Sequence, residues 1–179
     1  MDYYKSSDIV TLIKKYRIMA IDCYYDSQAN LISRLYCYEN GKILVAIKPS
    51  KIINTICEIY NNNDYVTCTK KIKKTILCDK KIPVLVNDEY GSIWLPFGTT
   101  NHDNDSSFWL NMNYISINPH TAKINKKEKK INLVLEDGQN IVIEMNYKNF
   151  MLKWGSGASL RYEIEKTKRR ILSQNQISY

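Results

Sequence analysis

Apolar and polar positions change rhythm several times along this chain, and each change predicts an element. From Tyr16 to Tyr25 they alternate with period two, as in a half-buried strand. Leu31 to Tyr38 and Lys42 to Lys48 read as two further strands around Glu39-Asn40-Gly41. Asn-Gly between apolar runs predicts a tight hairpin, because both residues tolerate positive φ. Pro49 stops the second of these strands, and Ser50 is placed to cap a helix with Ile52, Ile53, Ile56, Ile59 and Tyr60 on one face. β-branched isoleucines are stiff at χ1, so a strand is the competing reading there. Asn61 to Asp64 closes the element.

The period is ambiguous over 66–81, where Lys70, Lys71, Lys73 and Lys74 interrupt the apolar positions. Two β-favouring runs, 80–86 and 93–100, then flank the turn-forming stretch 87–91 and predict a hairpin through the core. A polar loop (98–107), a strand (108–117) and a second polar loop (118–130) follow. Strands 131–136 and 140–145 join through Asp137-Gly138, a second two-residue turn signal. A helix is expected from near Asn146 to Trp154, broken by Gly155-Ser156-Gly157. A last helix over 159–173 carries Leu160, Ile164, Thr167 and Ile171 as an inward stripe.

Strand, turn, strand, helix thus occurs twice, at 31–60 and 131–154, each time after another strand. Aligned at the glycines, Leu44-Val45 falls on Ile141-Val142, Lys51 on Lys148 and Ile53 on Phe150. A hairpin followed by a helix is a common unit in its own right. The alternative is a duplication of 16–61 as 108–154: two three-stranded units in one curved antiparallel sheet, with helices on one face. That pattern resembles the saddle of the TATA-binding protein. The expected class is α+β, with 1–155 as a core and 156–179 as a C-terminal helix and short tail.

Charge narrows the function classes. Lys plus Arg total 26 against 18 Asp plus Glu in 179 residues, a formal net charge of +8. Such a balance favours nucleic acid or an anionic surface as partner. An AT-rich genome, which encodes Lys, Asn, Ile and Tyr freely, accounts for part of it. The cations cluster at Lys70, Lys71, Lys73, Lys74, Lys80 and Lys81; at Lys123, Lys126, Lys127, Lys129 and Lys130; and at Lys166, Lys168, Arg169 and Arg170. A single lysine run is usually a solvated face, whereas three clusters favour phosphate contact. Arginine, the usual bidentate reader of guanine in the major groove, is confined to Arg17, Arg34, Arg161, Arg169 and Arg170. A phosphate- and shape-based mode is therefore the better expectation.

Catalytic signals are thin: no Gly-rich phosphate loop, no H-E-x-x-H and no G-x-S-x-G occurs. His102 lies in a polar loop beside Asp103 and Asp105, and His120 follows Pro119 as a turn residue. Cys23, Cys37, Cys57, Cys68 and Cys78 are scattered without a C-x-x-C pair, which suits reduced, buried thiols and gives no metal-like spacing. Trp94, Phe97 and Trp109 read as core. Tyrosines could stack on single strands, although strand propensity explains them more simply. No apolar run reaches the roughly 18 residues of a membrane span. No enzyme activity, cofactor or metal is expected, and the localisation expected is cytoplasmic.

The letters of several segments are more specific than their physics. Lys81-Ile82-Pro83-Val84-Leu85-Val86, then Trp94-Leu95-Pro96-Phe97-Gly98-Thr99, then Trp109 resemble the centre of the ComK family of bacterial competence transcription factors. Val45-Ala46-Ile47-Lys48-Pro49, Cys57 and Asn146-Tyr147-Lys148-Asn149-Phe150 extend the resemblance over roughly 16–170. It implies an activator of DNA-uptake genes that binds AT-rich promoter boxes through the minor groove, acts as a dimer or tetramer and assists RNA polymerase. The alternative is a non-specific DNA- or RNA-binding protein. Two departures stand out. Family members tend to carry Gly-Arg after the first helix, where this chain has Tyr65-Val66-Thr67-Cys68-Thr69-Lys70-Lys71. The tail after Arg170 is short for control by a proteolytic adaptor.

Overall fold

The computed structural model describes residues 3–76, 82–98, 107–115, 123–125 and 129–176. Its elements are α1 (Ile9–Lys15), β1 (Ile18–Tyr25), β2 (Leu31–Cys37), β3 (Gly41–Val45), α2 (Pro49–Asn61), α3 (Tyr65–Ile76), β4 (Val84–Leu85), β5 (Ile93–Gly98), β6 (Ser107–Asn111), β7 (Lys123–Asn125), β8 (Lys130–Val134), β9 (Asn140–Glu144) and α4 (Tyr147–Gln176). All pairs among these strands are antiparallel. They form a six-stranded sheet in the order β3-β2-β1-β6-β5-β4 and a separate three-stranded sheet, β7-β8-β9. The class is α+β, as the sequence predicts.

Both faces of the larger sheet are buried. On one, Ile21, Leu35, Trp94 and Trp109 pack with Leu12 of α1 and Ile52, Ile53 and Ile56 of α2. On the other, Met19, Leu95, Phe97 and Leu110 meet Ile131, Leu133, Ile141 and Ile143 of the smaller sheet, with Phe150 and Leu160 of α4. The strand period of two sorts them: Trp94 and Trp109 face the helices, while their neighbours Leu95 and Leu110 face the second core. A register shift between Ile18 and Ala20 turns Met19 and Ala20 to the same side. Each large apolar chain so buried contributes about 1.5–3 kcal/mol.

Several expectations need correction. The segment left ambiguous at 66–81 opens as helix α3. Helix α2 is capped by Lys48, whose carbonyl accepts the Lys51 and Ile52 N–H groups at 3.0 and 3.2 Å, and Pro49 rather than Ser50 begins it. The strand expected over 108–117 ends at Asn111, followed by a 3-10 turn at Met112–Tyr114. Lys123–Asn125 is a strand inside the expected polar loop. The two similar units lie in different sheets, so no single saddle forms.

Nor does Gly155-Ser156-Gly157 break α4, which runs 30 residues without interruption. A Cβ at Gly157 would lie 2.2 Å from Met112 Sδ and 2.7 Å from Leu95 Cδ2, so the glycine lets the helix close on the sheet. Gly155 has open space around its Cα. The inward stripe holds for Leu160 and Ile164, but Thr167 is exposed and Ile171 is 53% exposed. The helix has outrun its core there.

Candidate nucleic-acid interface

The first basic cluster is set by the amphipathic period of α3. Asp64 Oδ1 accepts the Thr67 N–H at 2.6 Å and starts the helix. Cys68, Thr69 and Ile72 then turn inward, which leaves Lys70, Lys71, Lys73 and Lys74 on the exposed side. Lys80 and Lys81 lie outside the described residues.

The third cluster occupies the far half of α4. Lys168, Arg169 and Arg170 are exposed and Lys166 half-buried, its Nζ 3.7 Å from Glu163. From Lys166 to Gln176 the helix has no acidic residue. The two basic helices adjoin: Thr75 and Ile76 of α3 share a cavity of about 470 Å³ with Ala158, Ser159, Tyr162 and Glu163 of α4.

Of the second cluster, expected in a loop, Lys123 and Lys130 stand in strands. Lys123 lies in β7 at the position paired with Asn132, and Lys130 opens β8 opposite Glu144. Lys129, at φ 52°, is exposed in the connection. Lys126, Lys127 and both histidines, His102 and His120, lie outside the described residues.

Sequence reasoning did not foresee where the arginines go. Arg34 donates through Nε and Nη2 to Asp22 at 2.8 and 2.6 Å, and its guanidinium sits 5.5 and 5.6 Å from the Tyr24 and Tyr36 ring centres. Tyr36 also donates to Asp22, at 3.0 Å. Hydrogen bonding to Asp22, against the opposing effect of burial, raises the Arg34 pKa further. Asp22 and Arg34 are direct cross-strand partners, so the signal was present once the β1–β2 register is known. Arg17 stacks 5.2 Å from the Tyr90 ring centre. With Arg161 and Lys168 it lines a cleft of about 690 Å³ that also holds Glu136 and Glu165.

Three of the thiols are quiet. Burial pushes Cys23 up to about 11 and Cys37 and Cys57 up to about 12, with the Asp22, Asp137 and Cys68 fields adding to it respectively. Thiols so shifted stay protonated at neutral pH and react slowly. Cys37, Cys57 and Cys68 are buried, as expected, and Cys78 lies outside the described residues. Among the described residues no three His, Cys, Asp or Glu side chains are grouped to hold a metal, and no helix is long and apolar enough to cross a membrane. Several asparagines are internal ties: Asn61 donates to the Leu85 carbonyl and accepts the Asn87 N–H, both at 2.8 Å, joining α2 to β4.

What the geometry defines is a basic α+β body that presents lysine and arginine outward from two adjoining helices and from the end of a small sheet. The sequence matches the family model described as ComK protein over residues 12–169, from α1 into the basic half of α4, and the chain belongs to the ComK family. That makes it a member of a family of competence transcription factors rather than of enzymes. No curated protein and no solved structure matches the chain.

Proposed function

We propose that the protein is a DNA-binding activator of competence genes that recognises AT-rich promoter boxes chiefly through the minor groove. It works as a homo-dimer or tetramer and assists RNA polymerase. The observation that carries this reading is the outward placement of lysines on α3 and α4, in a chain matched to the family along nearly its whole length. Lysines neutralise phosphates whatever the sequence, and phosphate contact supplies most sequence-independent affinity. Scarce arginines leave guanine without its usual major-groove partner. Discrimination then rests on groove width and on the acceptors of A·T pairs.

An electrophoretic titration of an AT-rich box against a GC-rich duplex, at one stated salt concentration, tests the reading. The AT-rich duplex is expected to bind more tightly, and equal binding would mean a non-specific nucleic-acid-binding protein. Replacing A·T by I·C pairs keeps the minor-groove edge and changes the major one, so binding should survive it. A ligand that fills A-tract minor grooves should compete. Changing Lys70, Lys71, Lys73 and Lys74 to alanine should weaken binding to every duplex. The slope of log K on log salt should fall by about 0.9 per lost phosphate contact. An unchanged slope would take α3 out of the interface.

A further inference from the structure

The outer face of the β7-β8-β9 sheet is composed unlike an ordinary solvated strand surface. Its inner residues Ile131, Leu133, Ile141 and Ile143 are buried in the second core. Outward stand Asn132 and Val134 of β8 with Asn140 and Val142 of β9. The register places Val134 opposite Asn140 and Asn132 opposite Val142, so the four alternate as a checkerboard. Val134 is 56% and Val142 51% exposed, and both asparagines are exposed. Strand propensity accounts for valine on any pleat but not for asparagine, which strands disfavour. Lys130 and Glu144 close one end of the face as a cross-strand pair. Lys123 lies in register with Asn132, and the exposed Lys129 precedes β8.

We propose that this checkerboard is the base-reading surface and lies against the minor groove of A·T-rich duplex DNA. The inference rests on the functional reading above and gives it an address. A·T and T·A pairs present only the acceptors A N3 and T O2 in that groove, whereas G·C pairs add the guanine N2 donor. Asparagine amides donate to the acceptors. The valine methyls cover the bare adenine edge and would strand a guanine amino group away from water without a partner, which is costly. Both side chains are short, so the sheet can sit close to the groove floor.

Lys129 and Lys130, at one end of the same sheet, supply positive charge for the phosphates on the groove walls. Strands lie about 4.8 Å apart and the groove is about 6 Å wide, so three strands enter only if it opens. A·T-rich sequence with TA steps opens at low cost, which makes deformability part of the recognition.

Variants of the whole 179-residue chain test this directly. Changing Asn132 and Asn140 together to alanine should lower the preference for an AT-rich over a GC-rich duplex by about tenfold or more, the scale of one or two lost base contacts. Non-specific binding and its salt slope should stay. A photo-cross-linking amino acid in place of Val134 should capture the AT-rich duplex, and a minor-groove ligand should abolish the capture. The same group in place of Leu152, 62% exposed on α4, should not capture it. An unchanged preference in the folded double variant, or no cross-link from Val134, or a cross-link indifferent to the minor-groove ligand, overturns the proposal. Should the double variant fail to fold in a thermal melt, the cross-link decides. Equal binding of both duplexes by the unaltered protein overturns the functional reading as well, and that result needs no variant.

Discussion

The β2–β3 and β8–β9 hairpins have nearly the same sequence pattern and opposite situations. The first lies in the six-stranded sheet, flanked by β1, and is followed by the 13-residue α2. The second belongs to a three-stranded sheet that packs on the other's face, and is followed by the 30-residue α4. Their turns differ by one residue. In the first, the Asn40 N–H meets the Cys37 carbonyl at 3.1 Å and Gly41 is already paired with Cys37. In the second, the Gly138 N–H meets the Leu135 carbonyl at 2.9 Å, so Gly138 stands where Asn40 does. Aligning the glycines therefore slips the register by one and exchanges the faces: it sets fully buried Val45 against Val142, which is 51% exposed. A shared pattern establishes the unit. The neighbours establish where it goes.

The two hairpins meet at their tips. The Glu39 N–H donates to Asp137 Oδ2 at 3.1 Å, and Gln139 Nε2 donates to the Cys37 carbonyl at 3.1 Å. This contact and the glycines offer graded ways to break the resemblance between the units. The largest effect is expected at the helix of the second unit. Gly157→Val drives a branched side chain into Met112 and Leu95 and should cost about 2–3 kcal/mol by overpacking. Gly155→Ala, two residues earlier, should gain about 0.5–1 kcal/mol in helix propensity. Thermal melts of the pair should move in opposite directions, and parallel shifts would mean that α4 does not close on the sheet at Gly157.

Next come the turns. Gly41 (φ 69°) and Gly138 (φ 86°) lie in the left-handed region with free space around them, so Gly41→Val and Gly138→Val should each cost about 1–2 kcal/mol from backbone strain alone. Denaturant unfolding should show similar losses, and asparagine at either site should recover part of the loss. A neutral Gly138→Val would show that the turn rearranges freely.

The smallest effect is expected at the tips. Asp137→Ala should cost about 0.5–1.5 kcal/mol at neutral pH through lost hydrogen bonds. Burial opposes the Asp137 charge, but bonds from the Gln139 side chain and backbone and from the Glu39 N–H prevail and hold its carboxyl below the ordinary range. A depressed folded pKa means stability that is present above the unfolded value of about 3.9 and fades as pH falls through the folded one. Parent and variant should therefore converge in acid, and a gap that persists below the folded value would exclude the carboxylate as its source.

Much of the fold was legible in the residues. Period-two runs located β1, β2, β3, β8 and β9, the isoleucine face located α2, and Trp94, Phe97 and Trp109 are core. Misreadings arose where long-range packing decides. Gly157 looks like a helix breaker until Met112 and Leu95 are seen beneath it, because propensity is local and close approach is not. Lysines hid α3, whose fully buried residues are just Cys68, Thr69 and Ile72. The Asp22–Arg34 pair needed a register that sequence alone does not supply. Basic residues could be enumerated along the chain, but their grouping on adjoining helices could not.

The uninterrupted α4 has a mechanical consequence. At 1.5 Å per residue its 30 residues form a rod of about 45 Å. It is pinned near one end by Phe150 and along its middle at Gly157 and Leu160. Past Ile164, the last residue packed on the core, about 18 Å of rod remains, carrying the Lys166–Arg170 charges. A tilt of about 10° about that residue would carry the tip roughly 3 Å. A displacement of the charged end is thus geared down toward Gly157, where Met112 and Leu95 bear on the helix, while a force on it is geared up.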